Sequence, residues 1–165
     1  MSEQFVIDPA RFARERGRST GSLTAAALPR LADQLHGAGG SIAYQVEGFI
    51  SGRGHPGLHL ELDGEIEVRC QRCLGALRTR IECQRDVVLV QGADEFAQRS
   101  DEDETMDIIP AVPHLDLRAL LEDEVLLALP VAPCHAQGEC NAPEGEHAAM
   151  PERVSPFAAL VQLKR

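Results

Sequence analysis

Apolar and polar side chains alternate along the middle of the chain, which is the pattern of a half-buried β-strand. In residues 57–70 the apolar side chains fall at even positions, with Gly64 as the interruption. The dipeptide Asp63-Gly64 is also typical of a hairpin turn. Because the parity continues unchanged across it, the pattern favours one long strand with a kink at this point. The even-numbered apolar residues are Leu58, Leu60, Leu62, Ile66, Val68 and Cys70.

A second alternating stretch, residues 77–89, follows the short segment CQRCLGA. Two long strands joined by so short a connection predict an antiparallel hairpin, and the alternation in residues 41–50 predicts a further strand before it. A lone hairpin is only marginally stable in water, so its apolar face needs a cover. The inward side of the second strand consists of Leu77, Thr79, Ile81, Cys83, Val87 and Leu89.

Residues 116–129 are the best candidate for this cover. Their apolar side chains recur at helical spacing, Asp116 stands where an N-cap is needed, and Pro130 follows as a stop. Short helices are predicted elsewhere as well. Asp8 with Pro9 is typical of a helix start, and residues 29–36 indicate a second helix that ends at GAGG.

We therefore expect one α+β domain over residues 1–165, in which an antiparallel β-sheet of meander and hairpins is covered by one main helix. Short N- and C-terminal helices complete it, the last of them beginning at Ser155 and Pro156. Along the chain we expect a basic N-terminal arm with short helices (1–36), antiparallel strands (40–92), an acidic loop (93–108), the main helix (115–129) and a linker with the C-terminal helix (130–165).

The charge balance of the chain is strongly acidic: 16 Lys and Arg residues stand against 26 Asp and Glu residues, for a net charge of −10. Nucleic-acid binders are usually basic, because neutralising phosphates supplies most of their affinity. RNA contact would therefore need a local basic patch, and a basic protein partner is an equally fair expectation. Glu122, Asp123 and Glu124 fall on the polar face of the main helix and are the candidates for docking such a protein.

One local basic patch surrounds the segment CQRCLGA and the strand after it. Its arginines are candidates for RNA contact, since phosphate contacts come chiefly from Arg and Lys. Alternation places Arg78 and Arg80 on the same face of their strand. The five candidates are Arg69, Arg72, Arg78, Arg80 and Arg85.

Membrane insertion, secretion and catalysis find little support in the sequence. No apolar run approaches the ~20 residues of a transmembrane helix, and the N-terminus lacks the apolar segment of a secretory signal. With an odd number of cysteines, five, we expect a reducing, cytoplasmic location and no membrane partner. The six histidines are scattered and form no catalytic motif, so we expect neither an enzyme nor a small-molecule substrate.

The pair Cys70 and Cys73 could bind a metal, exchange electrons or only pack. A redox pair needs a thiol of low pKa, typically at a helix N-terminus, whereas this pair lies between two strands. Structural zinc takes four ligands in a tetrahedron, and the other suitable donors are Cys134, His135 and Cys140, whose Cys-x5-Cys spacing is loose. Two alternatives stay open: zinc held by Cys70, Cys73, Cys134 and Cys140, or a remnant of such a site without metal.

Three segments in order, VRCQRCLGAL, LDLRALLEDEVLLALPVAPCH and SPFAALVQLKR, are similar to the bacterial YceD family of large ribosomal RNA subunit accumulation proteins. The resemblance covers nearly the whole chain, with DPARFARERG before the strands and the acidic run before the helix. It implies a role in the synthesis, processing or stability of 23S rRNA during large-subunit assembly, and no known enzymatic activity. Some members resemble zinc proteins with a second Cys-x-x-Cys near the C-terminus, where this chain has CHAQGEC.

The first hypothesis is therefore a non-enzymatic assembly factor whose partner is 23S rRNA or its precursor, a basic large-subunit ribosomal protein, or both. The arginine-lined hairpin would contact the RNA, or the acidic loop and helix would chaperone the protein. The acidic composition slightly favours the protein partner. The alternative, from another functional class, is a thiol redox protein that uses Cys70 and Cys73.

Overall fold

The computed structural model describes residues 5–91 and 107–140. In chain order the elements are β1 (Val6–Ile7), α1 (Pro9–Arg14), β2 (Arg18–Thr24), β3 (Leu35–Ile50), β4 (Pro56–Arg69), β5 (Ala76–Val90), β6 (Asp107–Pro110), β7 (Leu115–Asp116) and α2 (Leu117–Ala128). Single 3-10 turns at Ala25–Ala27 and Pro29–Leu31 connect β2 to β3. This arrangement confirms the α+β class. No helix in the described ranges is long and apolar enough to span a bilayer.

The main sheet has the strand order β2-β3-β4-β5-β6, and β1 pairs with β7 in a separate two-stranded ribbon. Neighbouring strands from β2 to β5 are antiparallel, as the sequence predicted, but β6 pairs with β5 in parallel. A parallel neighbour needs a crossover of about a dozen residues or more, and residues 91–106 supply the length for one. The sheet is therefore mixed, and no pattern in the sequence indicated the parallel edge strand.

The predicted hairpin is the centre of the sheet. β4 and β5 pair continuously from Gly57 with Val88 to Arg69 with Ala76. The even-numbered apolar residues of β4, from Leu58 to Val68, and Cys70 directly after the strand are each no more than 2% exposed. The five that lie in β4 belong to one core cluster that also includes Ile81, Val87 and Leu89 of β5. The two-residue period thus identified the inward face of both strands correctly.

Gly64 lies inside β4 and does not form a turn, which confirms the prediction of one long strand. A Cβ atom at this position would lie 2.3 Å from the carbonyl oxygen of Ser41 and 2.6 Å from Cα of Ile42. These atoms belong to β3, in which Ile42 is the register partner of Gly64. Glycine is required here because any larger residue would collide with main-chain atoms.

The helix α2 begins where the sequence predicted. The carboxylate of Asp116 accepts hydrogen bonds from the backbone N–H groups of Arg118 and Ala119, and Leu129 forms the C-cap. Four apolar residues of α2 belong to the same core cluster as the β4 leucines, namely Leu117, Leu120, Leu121 and Val125. α1 also packs on the sheet, since a Cβ at Gly48 would lie 2.4 Å from the carbonyl oxygen of Phe12. That α2 is the main cover of the sheet stays a prediction.

Several local predictions need correction or fall outside the described residues. Residues 29–36 do not form a helix: Pro29–Leu31 is a single 3-10 turn, and β3 begins at Leu35. The GAGG segment belongs to β3, where Gly37 and Gly40 have positive φ values. β2 was missed because its sequence RSTGSLT buries only Leu23 and carries no alternation. The acidic loop, apart from its end in β6, and the C-terminal helix lie outside the described residues.

Candidate metal centre

The first half of the candidate site is the six-residue loop that joins β4 to β5. The backbone N–H of Cys70 donates to the carbonyl of Gly75 at 2.9 Å, and that of Leu74 donates to the carbonyl of Cys70 at 2.9 Å. Leu74 adopts a left-handed conformation with φ of 60°, which tightens the loop. This conformation is uncommon for residues other than glycine. The closed loop brings the sulfurs of Cys70 and Cys73 to one side.

The second half lies in the segment that follows α2, and two hydrogen bonds attach it to the hairpin. The backbone N–H of Gln71 donates to the carbonyl of Pro133 at 2.8 Å. Nε2 of His135 lies 2.9 Å from the carbonyl oxygen of Ala76. Because a carbonyl can only accept, Nε2 carries the hydrogen and the neutral ring presents its Nδ1 lone pair to the cysteines. This is the orientation of a metal-binding histidine whose second nitrogen is anchored by a carbonyl.

The four donor atoms that come together are Sγ of Cys70, Cys73 and Cys140 and a ring nitrogen of His135, all within 4.8 Å of one another. The Sγ atoms of Cys70 and Cys140 are 3.8 Å apart. Nδ1 of His135 lies 3.4 Å from Sγ of Cys73 and 3.8 Å from Sγ of Cys140. A tetrahedral zinc ion with ordinary bond lengths requires about 3.8 Å between two sulfurs and about 3.6 Å between sulfur and nitrogen. The cluster therefore has the dimensions of a Cys3His zinc site.

Local electrostatics favour the thiolate of Cys70. The backbone N–H of Cys73, with further contributions from those of His135 and Arg72, lowers the pKa of Cys70 to about 5. These donors act although the side chain is fully buried. The adjacent Cys70 and Cys140 raise the pKa of His135. Thiolate is the form that binds metal, so the surroundings of Cys70 favour the form that a metal site would require.

The structure differs from the expected ligand set at one position: His135 lies in the cluster, whereas Cys134 is exposed and outside it. Pro133 and His135 both form hydrogen bonds with the hairpin. Side chains alternate in direction along an extended segment, so the side chain of Cys134 between them points away from the cluster. A sequence signal for His135 existed. It is separated from Cys140 by four residues, within the three to five that are typical of the second ligand pair in zinc sites.

The low pKa of Cys70 is a property that a redox thiol would share. Reactive cysteines, however, are partly exposed, and Cys70 is completely buried. The structure also brings two further donors, His135 and Cys140, against the pair. A tetrahedral metal site uses all four groups, whereas a dithiol pair needs only two of them.

The arginines of the predicted RNA patch are in different environments. Arg78 and Arg80 are exposed on the outward face of β5, but each lies within 4 Å of two carboxylates. Arg85 is paired with Asp107 and with Glu124. Arg72 points to the second half of the metal centre, and Arg69 is exposed at the end of β4.

The three acids of α2 do not form a solvated face. Glu122 and Glu124 are buried, at 3% and 5% exposure, and Asp123 is exposed. Glu122 accepts two hydrogen bonds from Arg30, and Glu124 pairs with Arg85. The expectation of a solvated docking face failed because α2 contacts both the 3-10 turn and β5, through partners that are distant in the sequence.

The outward face of the β4–β5 hairpin carries a long run of charged side chains. In register across the two strands stand His59 with Asp86, Glu61 with Gln84, Asp63 with Glu82, Glu65 with Arg80 and Glu67 with Arg78. Together with Arg69, this face carries six carboxylates and three arginines, so its net charge is negative. Acidic side chains outnumber arginines on this face as a whole, and the three arginines stand at the end next to the cysteine loop.

Comparison with known proteins gives consistent matches. The family model described as "Large ribosomal RNA subunit accumulation protein YceD" matches residues 58–164. A protein of the same description from Haemophilus influenzae is 26% identical over 166 residues, which cover 97% of this chain and 95% of that protein. No solved structure matches the chain.

Proposed function

The chain belongs to the YceD family of large ribosomal RNA subunit accumulation proteins, and from this premise we propose that it is a non-catalytic factor in large-subunit assembly. In this role it promotes the synthesis, processing or stability of 23S rRNA. The match extends over about two thirds of the chain and includes most of β4, the cysteine loop, β5 and α2. The family description names the process, and the surface chemistry of the hairpin bears on the partner.

The partner that best fits this surface is a Lys- and Arg-rich segment of a ribosomal protein. The observation that carries this proposal is the excess of carboxylates on the outward face of the β4–β5 hairpin. Arg80 lies 2.9 Å from Asp63 and 3.4 Å from Glu82, so its charge is already neutralised. Phosphate groups would meet a net negative surface here, whereas cationic side chains would be attracted to it.

The pairing of Asp63 with Glu82 gives this proposal further support. The two residues are directly opposite across the strands, and like charges in that position destabilise a sheet. A single arginine, Arg80, bridges both carboxylates. Departures from the most stable arrangement are expected where a surface serves binding, and a cationic partner would relieve this repulsion.

Charge reversal on the two strands tests the choice of partner. The probes are a synthetic peptide with the sequence of a Lys- and Arg-rich ribosomal protein tail and a fragment of 23S rRNA, each titrated at several salt concentrations. We expect Asp63→Lys with Glu65→Lys to abolish peptide binding, and Arg78→Glu with Arg80→Glu to preserve or strengthen it. Loss of rRNA binding in the arginine variant, with no peptide binding by the wild type, would establish direct RNA contact instead.

We further propose that zinc is a structural component of the protein, held by Cys70, Cys73, His135 and Cys140. Its chemistry would be structural, because a closed site of four protein ligands contributes folding energy and leaves no position for substrate. The ion would fasten the hairpin loop to the segment after α2. The distances between donor atoms and the anchored His135 ring support this assignment.

Two adjacent residues provide a matched test of the zinc site. Zinc content is measured in protein purified without chelators, together with the variants Cys73→Ser, His135→Ala and Cys134→Ser. We expect about one zinc ion per chain in the wild type and in Cys134→Ser, and strongly reduced zinc in the other two. Loss of zinc in Cys134→Ser with retention in His135→Ala would restore the ligand set expected from the sequence. Wild-type protein without zinc would reject the metal centre.

A further inference from the structure

We propose that Arg72 belongs to the metal centre, where it holds Cys140 in position and offsets the negative charge of the ligands. This inference rests on the zinc site proposed above and goes beyond it, since Arg72 is not itself a ligand. It also changes the role expected from the sequence, in which Arg72 was a candidate for RNA contact.

The side chain of Arg72 joins the two halves of the site directly. Its Nε donates to Sγ of Cys140 at 3.0 Å. Its Nη2 donates to the carbonyl oxygens of His135 at 2.9 Å and of Ala136 at 3.1 Å. Arg72 stands between Cys70 and Cys73 in the sequence, so one guanidinium connects the loop with the first two ligands to the segment with the other two.

The charge of the ligand set explains why a cation belongs at this place. Three thiolates and a neutral imidazole around a divalent ion leave one uncompensated negative charge. Cys140 lies outside the loop that contains Cys70 and Cys73. Cys140 receives the charged N–H of Arg72. This charge-assisted hydrogen bond stabilises the thiolate of Cys140, the one cysteine of the cluster that is not part of the loop.

The geometry also explains why the residue is an arginine. The planar guanidinium offers donors in two directions, and here Nε binds the sulfur while Nη2 binds two carbonyls. A lysine supplies the same charge as a single point and does not reproduce this fork. Nε and Nη2 are the two donors that would bind a phosphate side-on, and in Arg72 both already form other hydrogen bonds.

Zinc affinity tests the proposal, with Arg69→Ala as the matched control because Arg69 is a neighbouring exposed arginine outside the cluster. Affinity is measured on the full-length protein by competition with a chromophoric chelator. We expect Arg72→Ala to bind one zinc ion about 10- to 100-fold more weakly than the wild type. Arg72→Lys should recover part of the loss, and Arg69→Ala should bind zinc as the wild type does.

Cobalt substitution separates this role from a general loss of stability. The sulfur-to-cobalt charge-transfer band reports on the thiolates, and loss of a hydrogen bond to one sulfur should shift the band to longer wavelength. We expect the shift in Arg72→Ala and not in Arg69→Ala. Unchanged affinity and an unchanged band in Arg72→Ala would overturn the role of Arg72 while leaving the zinc centre intact. Absence of zinc from the wild type would reject the centre and this role together.

Discussion

Replacing Glu122 by alanine should destabilise the protein far more than the same change at its neighbour Asp123. The carboxylate of Glu122 accepts a hydrogen bond from the backbone N–H of Arg30 at 2.6 Å and another from its Nε at 2.9 Å. The side chain of Glu122 is only 4% exposed, whereas that of Asp123 is 53% exposed. Both acids bind the same arginine, so burial is the main difference between them.

The expected loss at Glu122 follows from the two contacts. Hydrogen bonds to a charged group contribute about 1.5–3 kcal/mol each, and breaking a buried ion pair costs about 3–5 kcal/mol. Arg30 is 46% exposed and keeps its bonds to Asp123 and to the carbonyl of Ala119, which moderates the effect. The higher helix propensity of alanine offsets about 0.4 kcal/mol of this loss in the free energy of unfolding. We expect Glu122→Ala to lower the free energy of unfolding by about 2–4 kcal/mol.

For Asp123→Ala we expect a loss of no more than about 0.5 kcal/mol, since exposed ion pairs contribute about 0.2–1 kcal/mol and alanine is the better helix former. The assay is urea unfolding of both variants at the same zinc concentration, with the midpoint and the slope compared to the wild type. Equal losses in the two variants would refute the argument from burial. A loss below about 0.5 kcal/mol at Glu122 would show that the acid is not part of the stabilising contacts.

Two further changes test the sheet. Gly64→Ala should lower the free energy of unfolding by about 1–3 kcal/mol, because the new Cβ would lie 2.3 Å from the Ser41 carbonyl oxygen. The control Gly52→Ala places its Cβ with no atom within 4 Å and should change stability by less than about 0.5 kcal/mol. Thermal unfolding of the two variants measures the difference. His59, whose pKa is raised chiefly by Asp86, should stabilise the fold by about 0.2–1 kcal/mol below its unfolded pKa of ~6.5, and lose this as pH rises through the folded pKa. Urea unfolding of wild type and His59→Gln at pH 6 and 9 should therefore converge at the higher pH, and divergence would contradict the pairing.

The parts of the fold that the sequence predicted well are those in which one face is buried over many residues. The alternation in β4 continued across Gly64, and the strand does the same. The N-cap at Asp116 and the stop at Pro130 bracket α2 to within a residue or two. Local pattern is sufficient there because burial of one face determines the register.

The parts that the sequence did not reveal depend on contacts between distant segments. β2 carries no alternation, and its pairing with β3 defines it as a strand. The burial of Glu122 depends on Arg30, which lies 92 residues earlier. In the same way, spacing alone could not distinguish the roles of Arg72 and Arg78. Arg72 binds the segment after α2, whereas Arg78 pairs with a carboxylate of β4. A periodic pattern identifies a face, but the partners on that face come from the tertiary structure.

The two proposals for this protein can fail independently, because the metal centre and the acidic face occupy different parts of the hairpin. Asp63 is seven residues from Cys70 along β4, which corresponds to roughly 20 Å along an extended strand. At Asp63 the strand is held by β3 on one side and β5 on the other, and neither pairing depends on the loop. Chelation of zinc should therefore loosen the cysteine loop and leave binding of a basic peptide to the acidic face nearly unchanged. If chelation abolished peptide binding, the partner would have to contact the metal centre itself or the segment that the ion fastens.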